Sequence, residues 1–165
     1  GLDYHWNENK DQQIKAFERQ MQIAREAQLP IIIHSRDAAK DTYDVMKVNR
    51  ADEMGGIVHC FSYTKEMAKQ FMDMGFYLGI GGVVTFSNAR KLQEVVEYMP
   101  MDKMVIETDC PYMSPVPNRG KRNDSFNLPY VVNKIAEIKG ISPTEVIDIT
   151  CENAKNVYDI GRKRI

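Results

Sequence analysis

The chain has 165 residues, a formal net charge of −1 and 43% hydrophobic residues, which is enough for one domain with a hydrophobic core. A nearly neutral charge excludes a strongly basic nucleic-acid coat, but it allows an enzyme that binds nucleic acid at a local site. No segment approaches the roughly 20 apolar residues of a membrane-spanning helix. We therefore predict a soluble, cytoplasmic protein with no membrane contact.

The first half of the chain alternates short apolar runs with amphipathic patterns. A short apolar run that stops at a turn signal predicts a buried strand, and apolar residues at spacings of three and four predict a helix. In chain order, the predicted elements are a strand end in Gly1–Trp6, a helix from about Asn9 to Gln28, a strand from Pro30 to His34, a helix through Met46, a strand from Gly55 to His59 or Cys60 and a helix from Thr64 to Gly75.

The second half repeats this alternation and then ends in helices. The predicted elements are a strand at Phe76–Gly82, a helix with Leu92 and Val95 that ends at Pro100, a strand from Met104 to Asp109, a long loop from Pro111 to Asn127, a helix with Val131 and Ile135, a helix that begins at the capping box Ser142–Glu145, and a last helical segment from Cys151 to Tyr158 that ends at Gly161. A loop as long as 111–127 is usually functional or disordered.

The predicted strands recur at a regular interval. His34, His59, Gly81 and Glu107 lie near the ends of four successive strands, at separations of 25, 22 and 26 residues. A repeating βα unit of about 25 residues predicts parallel strands joined by right-handed crossovers. A doubly wound open sheet and a (β/α)₈ TIM-type barrel both have this repeat, and both bind ligands at the carboxyl ends of their strands. Because chemically reactive residues end at least three strands, we favour the α/β barrel.

The chain is short for a complete barrel of this type. Such barrels have about 250 residues, and the sequence contains about five βα units. We therefore predict that residues 1–165 are the C-terminal part of a single barrel whose first strands lie upstream. An incomplete barrel exposes strand edge, so we expect self-association if the chain is truncated.

Two histidines and one aspartate are candidate metal ligands. His34, His59 and Asp109 each end a separate predicted strand, and these residue types hold catalytic divalent metals. Asp109 is also the candidate catalytic residue, because its carboxylate could accept a proton from a water whose pKa the metal lowers. Imidazole favours zinc and carboxylate favours magnesium, so one or two ions of zinc, magnesium or manganese fit this set.

Two further acids and a third histidine lie near the same strand ends. Glu107 is two residues before Asp109, so strand alternation points both carboxylates to the same side; a buried acid paired with a cation is the alternative. Asp3 could orient a metal ligand without binding the metal itself. The alternative is a plain loop aspartate. His5 is better explained as a loop or substrate-contact residue than as a ligand.

Basic and aromatic side chains near the strand ends are candidate substrate contacts. They are Arg36, Arg119, Lys121 and Arg122 among the basic residues, and Tyr4, Trp6, Phe61 and Tyr63 among the aromatic residues. Arginine forks can hold phosphate, and aromatic rings can stack on bases. Solvated surface charge and ordinary packing are the alternatives.

The spacing of the three cysteines indicates no structural cross-link. Cys60, Cys110 and Cys151 form no C-x-x-C pair, so neither a disulfide framework nor a zinc ribbon is indicated. We expect reduced, mostly buried thiols. Cys60 and Cys110 directly follow candidate ligands, and alternation along a continued strand would point both away from the site.

Six short motifs resemble those of one enzyme family. They are Gly1-Leu-Asp-Tyr4, Ile33-His-Ser-Arg-Asp-Ala38, Ile57-Val-His-Cys-Phe-Ser62, Glu107-Thr-Asp-Cys-Pro-Tyr112, Arg119-Gly-Lys-Arg-Asn123 and Glu152-Asn-Ala154. In order and spacing, they resemble the TatD family of metal-dependent deoxyribonucleases. The resemblance covers essentially the whole chain.

The resemblance implies a fold, a metal centre and an activity. The fold would be an amidohydrolase-like barrel with two metals, and His34, His59 and Asp109 would be ligands. The family's other ligands, a His-x-His pair and a glutamate, would lie before Gly1. Asn123 belongs to a loop in which this chain reads Arg122-Asn-Asp-Ser125 where the family usually reads Arg-Asn-Glu-Pro.

The function predicted from these observations is metal-dependent hydrolysis of phosphodiester bonds, with DNA as the substrate. Two alternatives stay open at this point. One is a barrel hydrolase of another bond, such as a small phosphoester, a lactone or an amide. The other is a non-catalytic α/β module that binds a ligand.

Overall fold

The computed structural model describes residues 1–6 and 9–159. It contains six short strands: β1 (Leu2–Asp3), β2 (Ile31–Ile33), β3 (Ser35–Arg36), β4 (Gly56–Val58), β5 (Tyr77–Ile80) and β6 (Met104–Ile106). It also contains six α-helices: α1 (Lys10–Glu26), α2 (Ala39–Val48), α3 (Lys65–Asp73), α4 (Arg90–Tyr98), α5 (Leu128–Lys139) and α6 (Pro143–Tyr158). Within the described ranges, none of these helices combines the length and the apolar composition needed to cross a membrane.

All strand pairs are parallel, and the strands lie side by side in chain order. The order is β2-β4-β5-β6, with β1 paired to β3. The backbone N–H of Leu2 also donates to the His34 carbonyl at 3.0 Å, so β1 lies beside the continuous segment 31–36. Because the order never reverses along the sheet, the arrangement is that of a barrel and differs from a doubly wound sheet, which has a switch point. The α/β fold predicted from the sequence is confirmed.

The helices cover one face of this sheet and form the core with it. Fully buried helical residues include Phe17, Met21, Met46, Phe71, Val95 and Ile135, and fully buried strand residues include Leu2, Ile33, Val58, Leu78 and Met104. The helical residues recur at the spacings that place them on one side of each helix. Ile32 lies on the other face of β2 and is 56% exposed, although parallel strands are usually covered on both faces.

Helix ends follow the signals predicted from the sequence. Asn9 and Thr64 cap α1 and α3 through their side chains, and Gly75 follows α3 with a φ of 91°, a conformation that glycine adopts most easily. The Ser142 capping box is complete, with both of its hydrogen bonds to Glu145 formed. These local interactions fix where the connections leave the sheet.

Two boundaries differ from the sequence prediction. The last strand ends at Ile106 rather than Asp109, because the backbone turns away and Asp109 has a φ of 55°. The final two helical segments form one continuous helix, α6, in which the Thr150 hydroxyl donates to the Val146 carbonyl at 2.8 Å. The predicted helix end at Gly161 lies outside the described residues.

Candidate metal centre

A cleft of about 360 Å³ lies at the carboxyl ends of the strands. Its lining residues come from the segments that follow β2, β4, β5 and β6. They are His34, Ser35, Arg36, His59, Cys60, Ser62, Val83, Phe86, Asp109 and Met113. The cleft therefore lies where the parallel topology places ligand sites.

The three predicted metal ligands lie together on one rim of this cleft. His59 Nε2 is 3.3 Å from Asp109 Oδ1, and the ring centroids of His34 and His59 are 6.1 Å apart. The three side chains come from the ends of three different strands, and each is partly exposed to the cleft. By the chemistry of their donor atoms, two imidazoles and a carboxylate suit one or two divalent cations.

Glu107 holds His59 from the side away from Asp109. Its Oε2 lies 2.8 Å from His59 Nδ1, and its Oε1 accepts the backbone N–H of Cys60 at 2.6 Å. The hydrogen bond to Glu107 raises the pKa of His59 above its ordinary value, against the opposing effect of burial. A carboxylate on one ring nitrogen fixes the orientation of the ring, so the other nitrogen faces the cleft. This is the usual arrangement for a histidine that binds metal.

Strand alternation predicted that the carboxylates of Glu107 and Asp109 point to the same side of the sheet. This reasoning is wrong. Both carboxylates contact His59, but on opposite ring nitrogens. The strand has already ended at Ile106, and the left-handed backbone of Asp109 turns its side chain toward the cleft. The structure thus pairs Glu107 with His59, while Asp109 stays at the rim.

Glu107 reaches His59 across β5, and Gly79 provides the space. A Cβ built at Gly79 would lie 2.7 Å from Glu107 Oε2 and 2.9 Å from its Cδ. Real Cβ atoms do not approach that closely, so a side chain at this position would displace the carboxylate. The absence of a side chain at 79 is what lets an acid after β6 contact an imidazole after β4.

Asp3 contacts the other histidine of the rim. Its Oδ2 lies 3.1 Å from His34 Nε2, and its Oδ1 accepts the backbone N–H of His5 at 3.0 Å. Partial burial raises the pKa of Asp3, but the hydrogen bonds from His5 and His34 outweigh it and the pKa is lowered. The predicted role of Asp3 in orienting a ligand therefore has a matching contact, and the role itself remains a prediction.

A second set of metal-capable atoms overlaps the first. Among the described residues, one atom each from His59, Cys60 and Glu107 lie within 4.8 Å of one another. Both Glu107 oxygens already accept hydrogen bonds, and burial raises the pKa of the Cys60 thiol to about 12. Because both oxygens of Glu107 are already engaged, the rim of His34, His59 and Asp109 is the better candidate for a cation.

The expectations for the cysteines were partly wrong. Cys110 and Cys151 are exposed rather than buried. Cys60 lines the cleft instead of pointing away from it, because β4 ends at Val58 and Cys60 has a φ of 48°. Strand alternation does not apply to a residue in that conformation.

Several other candidates lie outside the cleft. The Tyr4 hydroxyl donates to Asp41 Oδ2 at 2.9 Å, and burial together with Asp41 raises the pKa of Tyr4 to about 12. His5 Nδ1 lies 3.5 Å from Asp37 Oδ2. Phe61 is 2% exposed and packs in the core. Arg36, by contrast, lines the cleft and is exposed.

Asn123 anchors the loop that follows Asp109. Its amide donates to the carbonyls of Thr108 and Tyr112, both at 2.7 Å. Its carbonyl oxygen accepts the backbone N–H of Asp124 and the side-chain amide of Asn127, both at 2.9 Å. The side chain is 2% exposed, so the structure gives Asn123 a positioning contact with the backbone beside Asp109 rather than a surface for substrate.

Arg119 and Arg122 are both exposed, and neither lines the cleft directly. The guanidinium carbon of Arg119 lies 4.0 Å from the centre of the Phe86 ring, and Phe86 does line the cleft. Arg119 therefore contacts an aromatic residue that lines the cleft. No such contact fixes Arg122 within the described part of the chain.

Six lining residues of the cleft were not predicted from the sequence. They are Ser35, Cys60, Ser62, Val83, Phe86 and Met113. Ser35, Cys60 and Ser62 lie next to or near the two histidines in sequence, and their position alone could have indicated them. Val83 lies in a short 3₁₀ turn and Phe86 and Met113 lie in irregular segments. None of the three belongs to a periodic pattern, so only the folded structure shows them. Together, these three form an apolar wall of the cleft.

A family model described as "TatD related DNase" matches residues 1–159 of the chain. The chain is 48% identical over 162 residues to the Bacillus subtilis protein named "Uncharacterized metal-dependent hydrolase YabD", covering 98% of this chain and 64% of that protein. It is 37% identical over 166 residues to Escherichia coli YcfH, which has the same description, covering 100% of this chain and 63% of that protein. The chain thus spans less than two thirds of the length of these relatives.

A third relative has a more specific name, and one solved structure shows the same fold. The "3'-5' ssDNA/RNA exonuclease TatD" of Rahnella is 34% identical, covering 99% of this chain and 65% of that protein. The crystal structure of YJJV, a TatD homologue from Escherichia coli, superposes with a TM-score of 0.86 at 24% identity, covering 92% of this chain and 58% of that one.

Proposed function

Because the chain belongs to the TatD-related DNase family, we propose that it is part of a divalent-metal-dependent hydrolase that cleaves phosphodiester bonds in DNA. One observation carries the proposal: His34, His59 and Asp109, delivered by three separate strands, lie together at the edge of one cleft. The names of the relatives support the metal dependence and the hydrolysis.

The chemistry follows from the donor atoms on the rim. A bound divalent cation polarises a phosphoryl oxygen and makes a nearby water more acidic. His34 and His59 would hold the cation through ring nitrogens, and Asp109 through a carboxylate oxygen. Glu107 keeps the His59 ring in place through Nδ1. The carboxylate of Asp109 is also the candidate to accept the proton of the attacking water.

The identity of the metal follows the same donor chemistry. Imidazole nitrogens favour zinc over magnesium and manganese, and carboxylate oxygens accept all three. Two of the three rim residues are histidines, so we propose a transition-metal ion in at least one position. Metal analysis of the purified full-length protein would identify it.

Single-stranded DNA suits this cleft better than a duplex. Val83, Phe86 and Met113 form an apolar wall, on which an unpaired base or its sugar can pack. Arg36 is an exposed cation in the same cleft and could hold a phosphate. The Rahnella relative is named for single-stranded DNA and RNA, which supports the same choice.

The proposal is tested by hydrolysis assays on the full-length protein. We expect metal-dependent release of nucleotides from single-stranded DNA, with weaker activity on duplex DNA. The combined variant His34→Gln, His59→Gln and Asp109→Asn should lose this activity, while Arg19→Ala on the outer side of α1 should retain it. Hydrolysis of a small phosphoester, a lactone or an amide without hydrolysis of DNA would contradict the proposal in favour of another bond. Binding of DNA without any hydrolysis would favour a ligand-binding module.

Three expectations from the sequence remain predictions. They are the cytoplasmic location, the assignment of residues 1–165 to the C-terminal part of one barrel, and self-association.

A further inference from the structure

Arg119 differs from the other basic residues near the cleft because a ring contact fixes it. Its guanidinium carbon lies 4.0 Å from the centre of the Phe86 ring, within the range of a cation–π interaction. Phe86 is 8% exposed and forms part of the cleft wall. The arginine charge is therefore held beside the cleft, although the side chain itself is exposed.

The backbone that carries Arg119 is tied to the turn 82–85, from which Phe86 follows. Thr85 Oγ1 accepts the backbone N–H of Val116 at 2.9 Å and donates to the Gly82 carbonyl at 2.7 Å. Gly82 packs so closely against the Met113 carbonyl that no Cβ would fit there. The loop and the cleft wall are thus one packed unit.

The same loop is closed on itself around Arg119. The Ser114 hydroxyl donates to the Lys121 carbonyl at 2.6 Å, and the Asn118 amide donates to Asn127 Oδ1 at 2.8 Å. Ser114 and Asn127 are buried. A loop anchored on both sides of residue 119 limits the positions that the arginine can take.

The charge of Arg119 is not neutralised within the described chain. Arg25, Arg50 and Arg90 each pair with a glutamate. No carboxylate of residues 1–6 or 9–159 pairs with Arg119, and the side chain donates no hydrogen bond to these residues. Its donors therefore remain available for an anion, and a planar guanidinium suits phosphate.

We propose that Arg119, held on Phe86, forms a phosphate subsite separate from the metal rim, which binds a phosphate adjacent to the one that is cleaved. This inference rests on the proposed function. Asp109 and the two histidines line the cleft directly, whereas Arg119 lies against the ring of Phe86, one of the lining residues. A substrate with one phosphodiester reaches only the rim, and a longer strand also reaches Arg119.

The first test measures binding and needs no catalysis. A fluorescent ten-nucleotide oligothymidylate is titrated with the full-length protein in a chelator, at several salt concentrations. We expect Arg119→Ala to raise the Kd about tenfold and to reduce the slope of log K against log salt by about 0.7, the value for one contact with a single strand. Arg119→Lys should weaken binding less than Arg119→Ala, because lysine keeps the positive charge but cannot stack as a planar group on the Phe86 ring. Phe86→Leu should also weaken binding, because the ring that fixes the guanidinium is gone.

Arg19→Ala is the control of matched charge. Arg19 is exposed on α1 and lies in a separate depression with Lys15 and Arg25. The substitution Arg19→Ala should leave both the Kd and the slope of log K against log salt unchanged. Equal losses in the Arg19 and Arg119 variants would show that only overall charge matters, and this would overturn the subsite.

The second test separates the subsite from the catalytic rim. On the oligonucleotide, Arg119→Ala should raise KM with little change in kcat, and this loss should exceed the loss on a substrate with a single phosphodiester by about tenfold. Equal losses on both substrates would place Arg119 at the cleaved phosphate and overturn the proposal. If the protein bound the oligonucleotide through Arg119 but hydrolysed no DNA, the proposed function would fail, and with it the adjacency to a cleaved phosphate, while the phosphate contact at Arg119 would stand. No binding of the oligonucleotide would contradict both.

Discussion

The carboxylate of Glu107 occupies the space that a side chain at Gly79 would fill. A Cβ at residue 79 would lie 2.7 Å from Glu107 Oε2, and that same oxygen lies 2.8 Å from His59 Nδ1. The orientation of His59 at the candidate metal centre therefore depends on a missing side chain on the strand between them. We expect neither Glu107 nor Gly79 to contact the proposed metal directly.

Gly79→Ala should weaken metal binding without touching a ligand. The added methyl group would displace Glu107 from His59, and losing such a supporting contact typically reduces metal affinity about 10- to 100-fold. Titration of the full-length protein with zinc in competition with a chromophoric chelator measures this change.

Gly81→Ala is the matched control for that experiment. A Cβ at residue 81 would meet Glu107 at 3.6 Å, an ordinary contact distance. We expect metal affinity close to that of the unmodified protein. Equal losses in the two alanine variants, or no loss at Gly79→Ala, would contradict the dependence of His59 on this space.

Asn123→Ala should destabilise the loop after Asp109. The substitution removes the buried amide that donates to the carbonyls of Thr108 and Tyr112 in part-buried hydrogen bonds, and an unsatisfied buried polar group costs about 1–3 kcal/mol. Urea unfolding should show a loss of about 2 kcal/mol or more, with the exposed Asn133→Ala as a control near zero. A loss below about 0.5 kcal/mol for Asn123→Ala would mean that water replaces these contacts.

The stability contributed by the α6 capping box should depend on pH. Two hydrogen bonds lower the pKa of Glu145. The larger effect comes from the Ser142 backbone N–H and the smaller from the Ser142 hydroxyl. A carboxyl whose pKa is lower in the folded state stabilises the fold above its ordinary pKa, and this contribution is lost as pH falls through the lowered value. The Tm difference between the unmodified protein and Glu145→Ala should therefore be larger at pH 7 than at pH 3.

Asp148→Ala, one turn further along α6, is the control for the capping box. It carries the same change in charge at an exposed position but lies outside the box. Its Tm difference should vary much less between the two pH values. A difference for Glu145→Ala that does not change with pH would show that the ionised carboxylate adds nothing to the cap.

The strands and helices were predictable because their signals are local. The apolar run before His59 ends where the chain leaves the sheet, and Thr64 and Ser142 cap helices α3 and α6. Parallel strands then bring residues from distant parts of the chain to one edge. This topological rule places His34, His59 and Asp109 at a common cleft before any coordinate is known.

The remaining features of the site depend on tertiary contacts that no local pattern encodes. Asp109 reaches the rim through a left-handed backbone after β6 rather than by strand alternation. The stack of Arg119 on Phe86 joins residues 33 positions apart through two irregular segments. Periodicity describes regular elements only, so residues in irregular loops near the cleft were missed or assigned for the wrong reason.

The most direct test of the account is the position of the cation in a crystal of the full-length protein grown with zinc and measured at the zinc absorption edge. The account predicts anomalous peaks for one or two ions that together lie about 2.0–2.2 Å from a ring nitrogen of His34, from Nε2 of His59 and from a carboxylate oxygen of Asp109. Zinc bound instead by Cys60 and Glu107, or no peak within coordination distance of these three side chains, would contradict it.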